Sequence, residues 1–171
     1  GKGVGLTYKM LGVAPSPKDT WLINNGLKTF EIRMQRHATN AQAVAEWLEA
    51  QPLVAKVYYP GLPSNEGHAL ATKQMINGYG GMLSFELKDG SNGGAENGKA
   101  FTNALRIPTL AVSLGNVDSL VQHPASMTHS AVPKAEREEA GVTDSIIRLS
   151  VGIENIEDLI ADLEQAMGSV G

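Results

Sequence analysis

The run Ser145-Ile146-Ile147-Arg148-Leu149-Ser150-Val151-Gly152, followed at once by the amphipathic stretch Asn155 to Met167, constrains this chain more than any other segment. With a period of two, Ile147, Leu149 and Val151 form one wholly apolar face, and Ile146, Arg148 and Ser150 form the other. The segment reads as a strand with one buried face and a lone Arg in its middle. A guanidinium stripped of water without a partner loses hydration worth several kcal/mol. Arg148 must therefore reach solvent, a carboxylate of its own chain or an anionic ligand, and the neighbouring strand residues offer no acid. Its planar fork of donors matches a carboxylate held at both oxygens. Its aliphatic stem equally suits the plainer arrangement, in which the stem lies on the sheet and the head reaches water.

The 171 residues suffice for one domain with a real core, alone or with an appendage. A net charge of -4, with the fourteen Lys and Arg scattered singly, argues against nucleic acid as the main partner, because phosphate binding calls for a basic stripe. Zero Cys excludes disulfides, thiolate catalysis and Cys-based metal sites, and it fits a reducing compartment. No apolar run approaches the roughly 18 residues of a membrane span. The expectation is a cytoplasmic protein with no membrane partner.

Residues 1–15 are rich in Gly and carry no sustained period. Gly1, Gly3 and Gly5 do not make a phosphate loop, since no strand precedes them and no Gly-Lys-Ser/Thr follows. Ser16-Pro17-Lys18-Asp19 is a strong helix start: Ser as N-cap, Pro first, an acid third. Apolar residues then recur at steps of three and four from Ile23 through Leu27, Phe30, Met34 and Ala41 to Leu48, up to Gln51-Pro52. That is one helix, or two in line with a bend near Asn24-Asn25-Gly26. At about 1.5 Å per residue it would run roughly 50 Å, more than a compact domain of this size needs. Such a helix bridges two bodies, of which one is present.

Strands are expected at 54–59, 82–87, 110–115 and 145–152, and helices at 64–76, 100–105, 133–140 and 155–167. A helical turn is expected from Asn116 to Val121, and residues 88–98 read as a Gly/Asn loop. The fold class is α/β (α+β): one four-stranded sheet with helices on one face and Arg148 on the other.

His123 and His129 stand six apart across a Pro-containing loop without an acid or third His, so satisfied loop histidines outweigh a metal site. Ser113 lacks the Gly-x-Ser-x-Gly setting of an acyl-transfer nucleophile and suits ligand orientation better. Glu136, Glu138 and Glu139 read as a solvated face. The residues thus suggest a ligand-orienting set, Arg148 with Ser113 and Thr128, but no base, nucleophile or metal.

A set of motifs, in order along nearly the whole chain, resembles one family. These are Pro15-Ser16-Pro17 opening a long helix, Tyr59-Pro60-Gly61-Leu62, Gly80-Gly81-Met82 before a strand, Ala111-Val112-Ser113-Leu114-Gly115, His123-Pro124-Ala125-Ser126-Met127-Thr128-His129, and Ile147-Arg148-Leu149-Ser150-Val151-Gly152-Ile153-Glu154. Together they resemble the C-terminal part of the pyridoxal-phosphate-dependent Cys/Met metabolism family, which includes methionine gamma-lyase, cystathionine gamma-lyase, cystathionine gamma-synthase and O-acetylhomoserine sulfhydrylase. The resemblance implies fold type I: a large cofactor domain, a long interdomain helix, and a small C-terminal domain with a mostly antiparallel four-stranded sheet. On it, residues 1–15 are the tail of the missing large domain, 16–51 the interdomain helix and 52–171 the small domain.

By the same resemblance, Arg148 holds the substrate's α-carboxylate, Ser113 assists, and Thr128 lines the substrate side chain. Val112, small and apolar where cystathionine lyases tend to be acidic, tilts toward a methionine gamma-lyase or a sulfhydrylase. The family's cofactor-binding Lys, in a Ser-x-Thr-Lys segment, falls upstream of everything here. Ala71-Thr72-Lys73 imitates it in the wrong place. The resemblance therefore implies a chain with no catalytic residue of its own, incomplete by itself. Pyridoxal 5'-phosphate would be bound by the missing N-terminal large domain, in a homo-oligomer, a tetramer in the parent. A stand-alone amino-acid-binding or assembly module is the other reading.

Overall fold

The computed structural model describes residues 2–12, 14–88 and 93–170. Within it the chain divides into two compact units, residues 1–33 and 34–171. In the first, helix α1 spans Lys2–Leu11 and α2 spans Pro17–Leu27. The helix α1 was not expected, because Gly3 and Gly5 broke the pattern. α2 starts as the sequence predicts. Ser16 Oγ accepts from the Asp19 N–H at 3.1 Å, and the Asp19 carboxylate accepts from the Ser16 N–H and hydroxyl, forming a capping box. The long helix is interrupted at the turn Lys28-Thr29, two residues past the expected bend, and resumes as α3, Phe30–Glu49. There Arg33 caps the end of α2 by donating to the Gly26 carbonyl at 2.8 Å.

The apolar stripe of these helices changes character along its length. Trp21, Ile23, Leu27 and Phe30 are exposed, and α2 buries none of its residues. From Ala38 onward the stripe is core: Ala41, Val44, Ala45 and Leu48 are fully buried.

The second unit holds a five-stranded sheet in the order β1-β2-β5-β4-β3, formed by β1 (Val54–Tyr58), β2 (Met82–Leu87), β3 (Thr109–Leu110), β4 (Leu120–Gln122) and β5 (Ile146–Ser150). β1, β2, β5 and β4 pair antiparallel, and β3 joins β4 in parallel at the edge. The four-stranded expectation is thus corrected to a five-stranded mixed sheet. The strand expected at 110–115 shrinks to Thr109–Leu110, and the helical turn expected up to Val121 is instead β4. Three residues are too few to show a period of two. What makes Leu120–Gln122 a strand is its pairing with Ser150, Leu149 and Arg148 of β5.

The register builds one apolar face. Val57, Phe85 and Ile147 align across β1, β2 and β5, and Leu83, Leu149 and Val121 align across β2, β5 and β4. All six are buried beneath α3, α5 (Gly94–Ala104) and α7 (Ile156–Met167), whose Phe101, Leu159, Leu163 and Ala166 complete the core. Phe85 and Phe101 meet edge to face at 5.6 Å. α5 begins earlier than the expected 100–105. Residues 89–92 of the expected loop, and Gly1, lie outside the described residues. Two shorter helices complete the unit, α4 (His68–Gln74) and α6 (Lys134–Glu139). Among the described residues no helix is long and apolar enough to cross a membrane.

Candidate functional site

On the opposite face of the sheet the same register lays out a polar row: Tyr58 on β1, Ser84 on β2, Arg148 on β5 and Gln122 on β4. Alternation along β5 dictates this, because burying Ile147 and Leu149 on one face leaves Arg148 no place but the other. Arg148 is half-buried, and among the described residues it forms no ion pair. Tyr58 uses its hydroxyl on Glu86 at 2.8 Å, so that carboxylate is engaged one row away. The Arg148 Nη2 donates instead to the main-chain carbonyl of Ser113, 3.0 Å away.

Ser113 lies in a loop past the end of β3, not at a strand end as expected. Its hydroxyl makes no hydrogen bond among the described residues, so Arg148 meets the Ser113 backbone and not the Oγ. Val112 is 57% exposed beside it. The loop is fastened to the Arg148 strand at two points. The Gly115 N–H donates to Ser150 Oγ at 3.0 Å, and the Ile153 N–H donates to the Val117 carbonyl at 2.9 Å.

A carboxylate closes the loop's far end. Glu154 accepts from both the N–H and the hydroxyl of Ser119, the latter at 3.0 Å, and Ser119 Oγ accepts from the Gly152 N–H at 2.8 Å. A Cβ on Gly152 would sit 2.3 Å from Glu154 Oε2 and 2.4 Å from the Val117 carbonyl, so this turn has room only for Gly. From α3, the His37 Nδ1 donates to the Val151 carbonyl at 2.6 Å, and Asn40 Nδ2 donates to the carbonyls of Gly152 and Glu154 at 3.1 and 2.9 Å. The segment after Arg148 is therefore held from both sides.

Thr128 is exposed in the turn after the 3-10 helix Pro124–Ser126. Its hydroxyl accepts from Gln122 Nε2 at 3.2 Å and contacts His129 Nδ1 at 2.8 Å. Gln122 is thus the link between Thr128 and the Arg148 row. His123 is buried, with Nε2 donating to the Asp144 carbonyl at 2.7 Å and Nδ1 accepting from the Ser126 hydroxyl at 2.8 Å. Burial holds its pKa below the usual 6.5. It is a satisfied structural histidine, as the sequence suggested.

Glu136, Glu138 and Glu139 are exposed, as expected, while Arg137 between them is buried and pairs with Asp144. Lys73 is exposed on α4, and Thr72 bonds the His68 carbonyl. Lys18, Lys28, Lys56, Lys88, Lys99 and Lys134 are likewise at the surface.

The structure brings Arg148 to the Ser113 backbone, with Val112 exposed next to Ser113 in the chain, and joins Thr128 to Gln122, the residue opposite Arg148 in the register. Sequence reasoning missed Gln122, Ser119, Glu154, His37 and Asn40. Only Glu154, two residues past an obligatory Gly, carried a local signal, and it was indistinguishable from a solvated acid before a helix.

Residues 2–168 match the family described as Cys/Met metabolism PLP-dependent enzyme. The chain is 53% identical over 161 residues to an L-methionine gamma-lyase of Fusobacterium nucleatum subsp. polymorphum, which covers 94% of this chain and 40% of that protein. It is 50% identical over 165 residues to a cystathionine beta-lyase of Lactococcus lactis subsp. cremoris, covering 96% of this chain and 42% of that one. The crystal structure of cystathionine gamma-lyase from Lactobacillus plantarum complexed with L-serine superposes with a TM-score of 0.85 at 42% identity, over 99% of this chain and 43% of that one. The chain spans about two-fifths of the length of the curated relatives it matches.

Proposed function

The chain belongs to the Cys/Met metabolism PLP-dependent enzyme family, and we propose that it is the C-terminal, substrate-carboxylate-binding portion of an enzyme of sulfur amino-acid metabolism. In this reading the parent enzyme eliminates or replaces a γ-substituent, in the manner of a methionine gamma-lyase. The observation that carries it is Arg148: a guanidinium on the polar face of the sheet, making no ion pair among the described residues and resting on the Ser113 carbonyl.

Pyridoxal phosphate, when bound, supplies the electron sink for such chemistry. The described residues of this chain do not fit it, because Lys18, Lys28, Lys56, Lys73, Lys88, Lys99 and Lys134 are all exposed. The cofactor belongs to an N-terminal large domain of the parent. In this chain, Arg148 holds the α-carboxylate at both oxygens, the Ser113 hydroxyl is free to assist, and Val112 and Thr128 border the side chain. The exposed apolar stripe of Trp21, Ile23, Leu27 and Phe30 supports a further body packed against this helical segment in the parent. The parent is read as a cytoplasmic homotetramer.

Two measurements test this. Mixed with pyridoxal phosphate and then desalted, the isolated chain is expected to retain no cofactor, and with cofactor and L-methionine present it is expected to turn over no more than free cofactor does; turnover by this polypeptide alone overturns its incompleteness. In the parent enzyme, Arg148→Lys is expected to weaken amino-acid binding roughly tenfold or more, since Lys keeps the charge but not the planar fork that holds both carboxylate oxygens, and one hydrogen bond to a charged group is worth about 1.5–3 kcal/mol. Unchanged binding removes the proposed grip.

A further inference from the structure

On the Arg148 face one buried polar atom has no partner among the described residues. It is Oε1 of Gln122, in a residue 2% exposed. Folded proteins rarely leave such an acceptor without a donor. The other end of the same amide is engaged, Nε2 donating to the Thr128 hydroxyl at 3.2 Å. Gln122 stands directly opposite Arg148 in the β4–β5 register. Opposed side chains on one face of an antiparallel pair begin about 5 Å apart at Cβ, well within the reach of Gln and Arg. Arg148 has five N–H donors, of which, among the described residues, only Nη2 is engaged, on the Ser113 carbonyl.

We infer that Gln122 is a positioning residue for Arg148: its Oε1 accepts a guanidinium N–H when a carboxylate occupies the outer edge of the fork. The guanidinium is then held between two fixed acceptors, the Ser113 carbonyl and the Gln122 side chain, and two parallel N–H groups remain for the ligand. The Nε2 of the same amide keeps the Thr128 hydroxyl in place, so one side chain sets both the carboxylate grip and the side-chain border. This inference rests on the carboxylate role proposed for Arg148 and adds the residue that aims it.

The test is calorimetric titration of the full-length parent enzyme with L-norleucine and with L-norleucinamide, neither of which carries a γ-substituent to lose. Gln122→Met keeps length and removes the acceptor. It is expected to weaken norleucine at least about tenfold, the worth of one hydrogen bond to a charged group, and norleucinamide less than about twofold. In an Arg148→Lys background, Gln122→Met is expected to add less than about twofold. Equal weakening of both ligands, or additive effects of the two substitutions, overturns the positioning role and leaves the Arg148 reading intact. A wild-type enzyme that binds both ligands equally, or an Arg148→Lys variant that keeps the difference, overturns that reading itself. Should Gln122→Met unfold the protein, a crystal structure of the wild-type enzyme with norleucine decides. An Arg148 nitrogen within hydrogen-bond distance of Oε1, about 3.2 Å or less, is expected; separation beyond that contact overturns the inference.

Discussion

Arg148 Nη2 rests 3.0 Å from the carbonyl oxygen of Ser113, joining two residues 35 apart in sequence. The carbonyl accepts from a charged donor without neutralising it, so the guanidinium is oriented while its charge stays available. Because Arg148 is half-exposed and makes no ion pair among the described residues, Arg148→Met should change the stability of this chain by less than about 1 kcal/mol. Chemical denaturation checks this. A loss of several kcal/mol would show that the guanidinium is a structural pillar.

Gly152→Ala should be severe. The added Cβ lands 2.3 Å from Glu154 Oε2, 2.4 Å from the Val117 carbonyl and 2.6 Å from the Ser119 nitrogen, two of which are backbone. Overpacking of this kind costs about 1–3 kcal/mol. Amide hydrogen exchange at Gly115 and Ile153, whose N–H groups fasten the Ser113 loop, should accelerate. Unchanged protection at both would show that the loop does not depend on this turn.

Asp144 and Lys134 should behave unequally. Asp144→Ala leaves Arg137 buried, its side chain 7% exposed, with only the Val142 carbonyl at 2.7 Å as partner. Removing one side of such a pair costs about 2–4 kcal/mol. Lys134 binds the same carboxylate from a 64% exposed position, and Lys134→Ala should lower the thermal midpoint far less, because solvent screens the pair. Equal losses in thermal midpoint would contradict the assignment of Arg137 as the buried member.

Acid should destabilise this protein early. Desolvation holds the His123 pKa below 6.5, opposed by the hydrogen bond to the Asp144 carbonyl and assisted by the charges of Lys99 and Arg137. A depressed histidine stays neutral in the fold while the unfolded chain takes up the proton, so stability falls as pH drops below 6.5 toward the folded pKa. Asp144, held below 3.8 by its Lys134 and Arg137 hydrogen bonds, acts only in a lower window. A thermal midpoint that is flat from pH 7 to pH 5 would refute the His123 contribution.

Alkali acts through Tyr59. This ring is fully buried, its hydroxyl donates to the Gly80 carbonyl at 3.0 Å, and burial pushes its pKa up to about 12. The folded pKa exceeds the unfolded value of about 10, so the contribution is complete below pH 10 and fades as pH rises through 12. At about 1.4 kcal/mol per unit it amounts to roughly 2–3 kcal/mol. Tyr59→Phe should flatten the fall in stability across that window, and a phenolate that titrates near pH 10 in the folded protein would overturn it.

Alternation made Arg148, Leu83, Phe85 and Ile147 legible, because a strand that buries one face must show it with a period of two. Ser16, Pro17 and Asp19 announced α2 for a local reason too, since a cap acts over three residues. Thr109–Leu110 and Leu120–Gln122 were illegible as strands, being too short for a pattern and defined only by their neighbours. The start at Lys2–Leu11 hid for the opposite reason: its glycines suppress a helical signal that the structure nonetheless adopts.

By itself the sequence determined the strand that carries Arg148, the apolar face behind it, the helix that follows, and the family likeness, all of which depend on spacing along the chain. Only the tertiary structure decided that Arg148 meets the Ser113 backbone and not its hydroxyl, that Gln122 faces Arg148 with an unused oxygen, and that Glu154 fastens Ser119. Those contacts join segments about 26 to 35 residues apart, and their geometry follows from sheet register and loop closure, which no local pattern encodes.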